Sequence, residues 1–285
     1  MQSENVFEKI TREYYELTTA EKKTADYIMK NLRDTQYMSI AELAEASDVA
    51  EATVSRFCRR LGYKGYNAFK LAVANSFVTV RRDSDVLTGQ VEETDSFEDM
   101  CRKVYSADVA AIEQTLELVD AEAVKQAVDI FERAGKVFCM GQGGSMLLAS
   151  DAAHAFSPFG NKFFAIGDAH LQVIATATMT AEDAIMFFSY SGATKDMMET
   201  LSLAKERGAK TVLITRFPKS PGAELANVVL RCGSSESPLQ MGSVAAKLAQ
   251  LFVVDLIFSE MCRRNLDKCF ENRERIADAL SEKHL

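Results

Sequence analysis

The stretch FFSYSGATKD, residues 187–196, places three short hydroxyl side chains and a glycine directly after an apolar run. That run, residues 184–189, reads as a buried strand, and residues 194–208 read as a helix. Similar short apolar runs, each next to a helical pattern, occupy residues 136–140, 162–166, 210–215 and 227–232, and a long helical tail runs from residue 240 onward. Apolar strands without period-2 alternation, separated by helices, are typical of a parallel sheet covered on both faces. The sequence from Gly135 therefore predicts an α/β domain with a doubly wound parallel sheet.

Two of the predicted strand-to-helix junctions carry residues suited to an anion. In GQGGS, residues 141–145, glycines allow a ligand to approach the backbone and Ser145 heads the helix. In the opening stretch, the hydroxyl donors Ser189, Ser191 and Thr194 surround a tight turn that Gly192 permits. The helix that follows supplies backbone amides and the positive end of its dipole. Either junction alone is typical of an ordinary turn or helix cap. On neighbouring junctions of one parallel sheet, the two together favour anion binding.

Two other phosphate-binding classes are less favoured, because their motifs are absent. GQGGSM lacks the dinucleotide-binding pattern GxGxxG, because Met146 stands where the third glycine is required. The chain also contains no GxxxxGK[ST] loop.

The first part of the chain predicts a helix-turn-helix. Residues 39–46 form a short helix capped by Ser39, with Glu42 three residues on, and residues 47–49 form a tight turn. Residues 50–61 form a second helix that Gly62 ends. Its apolar positions share one face, namely Val54, Phe57, Cys58 and Leu61, while its polar positions lie elsewhere, namely Thr53, Ser55, Arg56, Arg59 and Arg60. This arrangement is typical of a recognition helix that enters the major groove of DNA.

Local charge supports the same prediction. The chain has a formal net charge of -8, yet residues 52–82 contain no acidic residue. Arg and Lys contact phosphates, and side chains near the start of the recognition helix contact bases or flanking phosphates. The predicted DNA-binding residues are Thr53, Ser55, Arg56, Arg59, Arg60 and Lys64. The alternative is that the arginines form an ordinary solvated helix face.

A length of 285 residues suits two domains. We expect a helix-turn-helix domain at residues 1–80, an acidic linker at 81–96, and a second domain with a helical connector at 97–285. The N-terminus lacks a signal peptide, and residues 248–261 are broken by Asp255 and Glu260, which indicates a buried helix; we expect a cytoplasmic protein with no membrane partner. The six cysteines contain no CxxC pair, which disfavours a zinc site and a disulfide framework and favours reduced thiols. We expect no metal and no other cofactor.

GQGGS followed by SYSGATKD resembles the GxGxS and SxSGxT signatures of the sugar isomerase (SIS) domain, and SRFCRRLGYKGYNAFK resembles the N-terminal domain of RpiR/MurR bacterial regulators. The resemblance implies that Ser189, Ser191 and Thr194 hold a phosphate, that Tyr190 contributes its backbone amide, and that Ser145 contacts the sugar. GDAHLQ, residues 167–172, also resembles the family pattern, which implies that Asp168 and His170 lie near the mouth of the pocket. The implied phosphosugar-binding residues are Gly143, Gly144, Ser145, His170, Ser189, Tyr190, Ser191, Gly192 and Thr194. One departure is residues 246–248, AKL, where many relatives carry an arginine-containing segment; contacts from that helix are therefore not predicted.

A phosphosugar isomerase, or another sugar-phosphate enzyme of the SIS fold, is the alternative function, and an isomerase requires a positioned base. His154 stands among small and apolar residues, which favours a core or interface histidine, and His170 has no evident partner. Glu236 lies in a polar loop, where an acidic residue is usually solvated. The sequence therefore predicts no catalytic residue and favours a transcriptional regulator with a sugar phosphate effector. Helix-turn-helix proteins pair on half-sites about 34 to 36 Å apart, which implies a homodimer or homotetramer on a double-stranded DNA operator.

Overall fold

The computed structural model describes residues 6–80, 91, 94–233 and 243–281. The described residues divide into two compact units: one includes the chain up to Ala107, and the other begins at Asp108. Most of the predicted linker, residues 81–90, 92 and 93, and Glu236 lie outside the described residues.

The first unit is helical. Its helices are α1 (Val6–Glu13), α2 (Thr19–Lys30), α3 (Leu32–Thr35), α4 (Ile40–Ala46), α5 (Glu51–Arg60) and α6 (Tyr66–Val80), followed by the first part of α7 (Phe97–Leu118). Capping boxes begin two of them, because Thr18 pairs with Glu21 at α2 and Ser39 pairs with Glu42 at α4. The predicted cap at Ser39 is confirmed.

The predicted helix-turn-helix is formed by α4 and α5. Between them Asp48 adopts a φ of 53°, and after α5 Gly62 adopts a φ of 85°. The left-handed backbone at Gly62 is one that glycine adopts without steric cost, as the sequence predicted for the end of this helix. The apolar face of α5 is buried, and Phe57 packs edge-on against Phe69 of α6 with ring centroids 5.8 Å apart.

The second unit contains a five-stranded parallel sheet in the order β2-β1-β3-β4-β5. After the rest of α7, its elements are α8 (Ala121–Arg133), β1 (Lys136–Gly141), α9 (Gly144–Ala155), β2 (Phe163–Ile166), α10 (Ala169–Ala177), β3 (Asp183–Phe188), α11 (Lys195–Arg207), β4 (Lys210–Thr215), α12 (Pro221–Leu225), β5 (Val228–Arg231), α13 (Val244–Arg264) and α14 (Leu266–Ser281). The predicted doubly wound α/β fold is confirmed.

The side chains of β3 show why this strand reads as continuously apolar. Ala184, Met186 and Phe188 belong to the core on one face of the sheet, together with residues of α8, α9 and α13. Ile185 and Phe187 belong to the core on the other face, with residues of α11. Both faces are buried, so the strand has no position at which a polar side chain is favoured.

Two features of this unit were not predicted. The short helix α12 follows β4, and the helical tail is broken at Asn265 into α13 and α14. Within the described ranges, no helix is both long enough and apolar enough to span a bilayer.

Candidate functional site

The strand order places a crevice between the ends of β1 and β3. From β1 the chain moves to β2 on one side and then to β3 on the other side. In open parallel sheets ligands bind outside the carboxyl ends of the strands at such a reversal. Gly141 and Phe188 end β1 and β3 and are paired in register, so the turns that follow them leave the sheet side by side. These are the GQGGS and SYSGAT turns that the sequence singled out.

The first turn needs its glycines for geometry. Gly143 has a φ of 54° and stands immediately before the first residue of α9. A Cβ atom on Gly141 would lie only 2.7 Å from the carbonyl oxygen of Ser145. The turn is therefore pressed closely against the first turn of α9, where Gly144 is exposed and Ser145 is half-buried.

The second turn is held by its own hydroxyls and backbone. Ser189 is buried, and its Oγ accepts a hydrogen bond of 3.2 Å from the amide of Gly192, which has a φ of 60°. Ser191 is exposed, and its Oγ accepts a 3.4 Å hydrogen bond from the amide of Ala193. Thr194 occupies the N-cap position of α11, and in the described part of the chain its side chain makes no capping hydrogen bond. The exposed Ser191 hydroxyl and the half-buried Thr194 hydroxyl both stand at the positive end of α11.

Residues at the end of β4 and after it support the second turn, and sequence reasoning missed them. The Thr215 hydroxyl and the Arg216 amide donate to the carbonyl oxygen of Tyr190 at 3.0 and 3.1 Å. The Gly222 amide donates to the carbonyl oxygen of Gly192 at 2.9 Å. Ser220 Oγ is buried without a hydrogen-bond partner among the described atoms, and a Cβ on Gly192 would lie 2.0 Å from it. No motif marks these residues, because their role depends on β4 lying next to β3.

A buried glutamine supports the first turn. Gln172 of α10 is fully buried, and its Nε2 donates to the carbonyl oxygens of Gly141 and Ile166 at 3.1 and 2.8 Å. Its Oε1 accepts a 2.7 Å hydrogen bond from Gln142 Nε2. This one amide therefore joins the ends of β1 and β2 to the GQGGS turn, a role that was not predicted from the sequence.

Two of the three histidines, His154 and His170, fall among the described residues, and both are on the surface. Asp168 begins α10 by accepting a 2.9 Å hydrogen bond from the amide of Leu171, and His170 is exposed in the first turn of that helix. His154 is exposed on α9, whose buried residues are Leu148, Ala149 and Ala152, so the core alternative for this histidine is wrong and the interface alternative stays a prediction. Among the described residues, no cluster of three or more His, Cys, Asp or Glu side chains could hold a metal ion.

The polar residues of the recognition helix α5 differ in exposure. Arg56 and Arg59 are exposed and Ser55 is half-buried, and Lys64, which follows the helix, is exposed. Thr53 is buried, and its hydroxyl accepts a 3.2 Å hydrogen bond from Arg56 Nη2.

Arg60 is tied to the body of the first unit. Its guanidinium lies 3.5 Å from the carboxylate of buried Glu21 and 3.8 Å from that of Glu16. The arginine therefore places a positive charge beside a buried carboxylate that also accepts hydrogen bonds from Thr18, which is a structural reason for its presence beside any contact with DNA.

Comparisons with known proteins agree with both units. The family described as "Helix-turn-helix domain, rpiR family" matches residues 4–79, and the SIS domain family matches residues 130–260. An uncharacterized HTH-type transcriptional regulator of Haemophilus influenzae is 31% identical over 284 residues, covering 99% of both chains. The HTH-type transcriptional regulator HexR of Pseudomonas aeruginosa is 31% identical over 264 residues, covering 92% of this chain and 91% of that one.

A solved structure extends the likeness to three dimensions. The NanR protein of Vibrio vulnificus, complexed with ManNAc-6P, has a TM-score of 0.87 at 24% identity, covering 99% of this chain and 100% of that one. Fold and family matches together define a transcriptional regulator that joins a helix-turn-helix domain to an SIS domain. The chain belongs to the rpiR family of HTH-type transcriptional regulators, as the sequence motifs predicted.

Proposed function

We propose that the second unit binds a sugar phosphate as an effector and that this binding changes the affinity of the first unit for operator DNA. The observation that carries the proposal is the register pairing of Gly141 with Phe188, which brings two hydroxyl- and glycine-rich turns to one edge of the sheet. Helix N-termini at such an edge present amides to anions.

Each turn has a role in this proposal. Ser191 and Thr194 donate hydroxyl hydrogen bonds to the phosphate, while Ser189 shapes the turn from its buried position. Amides at the start of α11, and the Tyr190 amide, complete the phosphate site. Ser145, with the backbone of Gly143 and Gly144, contacts the sugar, and His170 contacts the ligand from the start of α10. The turn glycine Gly192 gives the backbone the conformation that this arrangement requires.

The comparison with NanR supports the class of ligand. The molecule in that solved structure is ManNAc-6P, a phosphorylated amino sugar. We infer that the present chain binds the same broad chemical class, a phosphate monoester of a sugar.

We infer that the exposed cations of the first unit contact the DNA backbone, with Ser55 and Arg56 near the start of α5 placed for base edges. Arg59 and Lys64 contribute affinity that falls with salt concentration. Two copies of the chain on adjacent half-sites give a homodimer, and two such pairs give a homotetramer. The effector acts by binding one arrangement of the pair better than another, with a coupling of about 1 to 3 kcal/mol.

A phosphosugar isomerase is the second candidate function, because a domain of the SIS family covers residues 130–260. The relatives of the whole chain named above are transcriptional regulators, which supports a sensor of the sugar phosphate rather than an isomerase. The two functions differ in turnover: an isomerase converts its sugar phosphate at ordinary enzymatic rates of about 1 to 1,000 per second, and a sensor returns it unchanged.

The deciding experiment uses the full chain. Double-stranded DNA selected by the protein from a random-sequence pool serves as the operator, and its affinity is measured with and without a panel of hexose, pentose and amino-sugar phosphates. We expect one class of sugar phosphate to change the affinity about fivefold or more, and to be recovered unchanged. The double variant Ser191→Ala, Thr194→Ala is expected to bind DNA and to ignore the effector.

A matched control is Ser150→Ala, which removes an exposed serine on α9 away from both turns and is expected to keep the response. If the double variant responds like the parent chain, the site assignment is wrong. Turnover of the effector at an enzymatic rate would favour the isomerase.

A further inference from the structure

Two cysteine thiols are in contact where the chain turns between its last two helices. The Sγ atoms of Cys262 in α13 and Cys269 in α14 lie 3.1 Å apart. The turn between them is fixed by Asn265, whose amide donates to the carbonyl oxygens of Met261 and Cys262. The contact therefore belongs to a defined reversal of the chain.

The rest of the protein anchors both sides of this reversal. Arg264 pairs with the carboxylates of Asp129 and Glu132 on α8, the latter at 3.2 Å. On α14, Asn272 Nδ2 donates to the carbonyl oxygen of Pro158 at 2.7 Å. Both helices are thus held by polar contacts independent of the two sulfur atoms.

The two thiols differ in exposure. Cys269 is 4% exposed, whereas Cys262 is partly exposed at the edge of the core. The other cysteines lie elsewhere: Cys58, Cys139 and Cys232 are buried in cores, and Cys101 is exposed on α7. A solvent-borne reagent therefore reaches Cys262 before Cys269.

We propose that Cys262 and Cys269 are a site of reversible oxidative modification, forming an intrachain disulfide by exchange with a low-molecular-weight disulfide such as oxidised glutathione. The site is separate from the proposed sugar phosphate site and does not depend on it. A disulfide bond is about 2.05 Å long, so the sulfur atoms need to approach by about 1 Å.

The exchange takes two steps. The Cys262 thiol loses its proton, and the thiolate attacks one sulfur of oxidised glutathione, breaking its S–S bond and releasing one glutathione thiolate, which takes up a proton. The Cys269 thiol then loses its proton, and its thiolate attacks the Cys262 sulfur of the mixed disulfide. The bond to glutathione breaks, and the second glutathione thiolate leaves and takes up a proton. In total two protein thiols are oxidised, and one oxidised glutathione is reduced to two glutathione molecules.

The surroundings of Cys262 make thiol–disulfide exchange slow. The test therefore measures how much disulfide is present at equilibrium and not how fast it forms. Burial raises the pKa of the Cys262 thiol to about 11, with the hydrogen bond to Cys269 acting in the same direction and the Arg273 guanidinium opposing both. Little thiolate is present near neutral pH, and the thiolate is the attacking species.

The experiment equilibrates the full chain in a series of glutathione buffers, once folded and once in guanidinium chloride. After acid quench and alkylation, mass spectrometry of peptides measures the Cys262–Cys269 bond. We compare the ratio of oxidised glutathione to the square of reduced glutathione at which half of the chains carry the Cys262–Cys269 bond. Because folding holds the thiols in contact, we expect this ratio to be roughly tenfold lower for the folded chain than for the unfolded chain, which corresponds to about 30 mV in potential. Re-reduction with excess glutathione should restore both thiols.

Variants define the pair. Cys101→Ser is expected to leave the bond unchanged, while Cys262→Ser should abolish it and leave no intrachain disulfide. Since Cys262 is partly exposed, its replacement by serine keeps the fold, which a thermal melt checks. The proposal is overturned if the bond forms no more readily in the folded chain than in the unfolded one. It is also overturned if mixed disulfides accumulate at Cys262 and Cys101 instead.

Discussion

Gly141 and Phe188 are register partners at the ends of adjacent parallel strands, and the turns that follow them leave the sheet at the same edge. Everything proposed about the effector site depends on this pairing. The two turns are 47 positions apart along the chain, counted from Gly141 to Phe188, and the strand order 2-1-3-4-5 is what makes them neighbours.

The second turn should tolerate no side chain at Gly192. Gly192→Ala adds a Cβ atom 2.0 Å from Ser220 Oγ to a residue with a φ of 60°. We expect a loss of about 2 to 4 kcal/mol in the free energy of unfolding, because steric overlap adds to backbone strain. Gly143→Ala is the matched control, since its φ is 54° and nothing lies within 4 Å of the added atom. Its expected loss is about 1 kcal/mol, measured by urea unfolding. If the two variants lost equal free energy of unfolding, the Ser220 side chain would have moved aside without cost.

Gln172 should matter more for stability than Gln142. Gln172→Leu leaves the carbonyl oxygens of Gly141 and Ile166 without this donor, and we expect a loss of about 2 to 4 kcal/mol. Gln142→Leu removes only the hydrogen bond to Gln172 Oε1 and should cost about 1 kcal/mol. Urea denaturation of both variants measures the order. If Gln142→Leu is the more damaging change, Gln172 does not hold the two strand ends together.

Two neighbouring arginines of α5 should have different effects. Arg60→Ala leaves the carboxylate of Glu21 without its 3.5 Å partner, so we expect the first unit to lose roughly 1 to 3 kcal/mol of stability. Arg59→Ala should leave stability within about 0.5 kcal/mol, because Arg59 is exposed. It should instead weaken DNA binding and reduce the slope of log affinity against log salt by about 1. Thermal unfolding and DNA titrations at several salt concentrations separate the two effects. An unchanged salt slope for Arg59→Ala would support a solvated helix face.

The end of α13 should confer sensitivity to acid. Hydrogen bonds from Arg263 and then Arg264 lower the pKa of Glu260 from its usual 4.5 to about 2. Because the folded pKa is the lower one, the stabilisation is complete above pH 4.5 and is lost as the pH falls toward 2. Glu260→Gln should therefore flatten the decline in the urea midpoint across this window. Glu271→Gln is the control, since Glu271 is exposed and lies 3.9 Å from Arg275. A parallel decline in Glu260→Gln and the parent chain would contradict the assignment.

Local patterns predicted most of the fold. The five apolar runs correspond to the five strands, and the cap at Ser39 and the left-handed residue Gly62 bound the helix-turn-helix as expected. These features depend on residues close together in the chain, so sequence spacing reveals them. The short helix α12, with only five residues, has no periodic pattern that could predict it.

The supports of the site could not be predicted, because their partners are distant in sequence. Gln172 donates to a carbonyl oxygen 31 positions away, and Thr215 donates to one 25 positions away. Backbone acceptors carry no sequence signal, so only the strand order reveals these contacts. The same holds for Arg60, which sequence places on the polar face of α5 and which structure places beside Glu21.

The most direct test of the central proposal is calorimetric titration of the full chain with sugar phosphates and with the same sugars lacking the phosphate. We predict that a sugar phosphate binds the parent chain and Ser150→Ala alike, and that the free sugar binds neither. The double variant Ser191→Ala, Thr194→Ala should lose binding of the sugar phosphate, while its thermal midpoint stays within a few degrees of that of the parent chain. Binding of the sugar phosphate to the folded double variant with unchanged affinity, or equally tight binding of the free sugar to the parent chain, would contradict a phosphate site between the two turns.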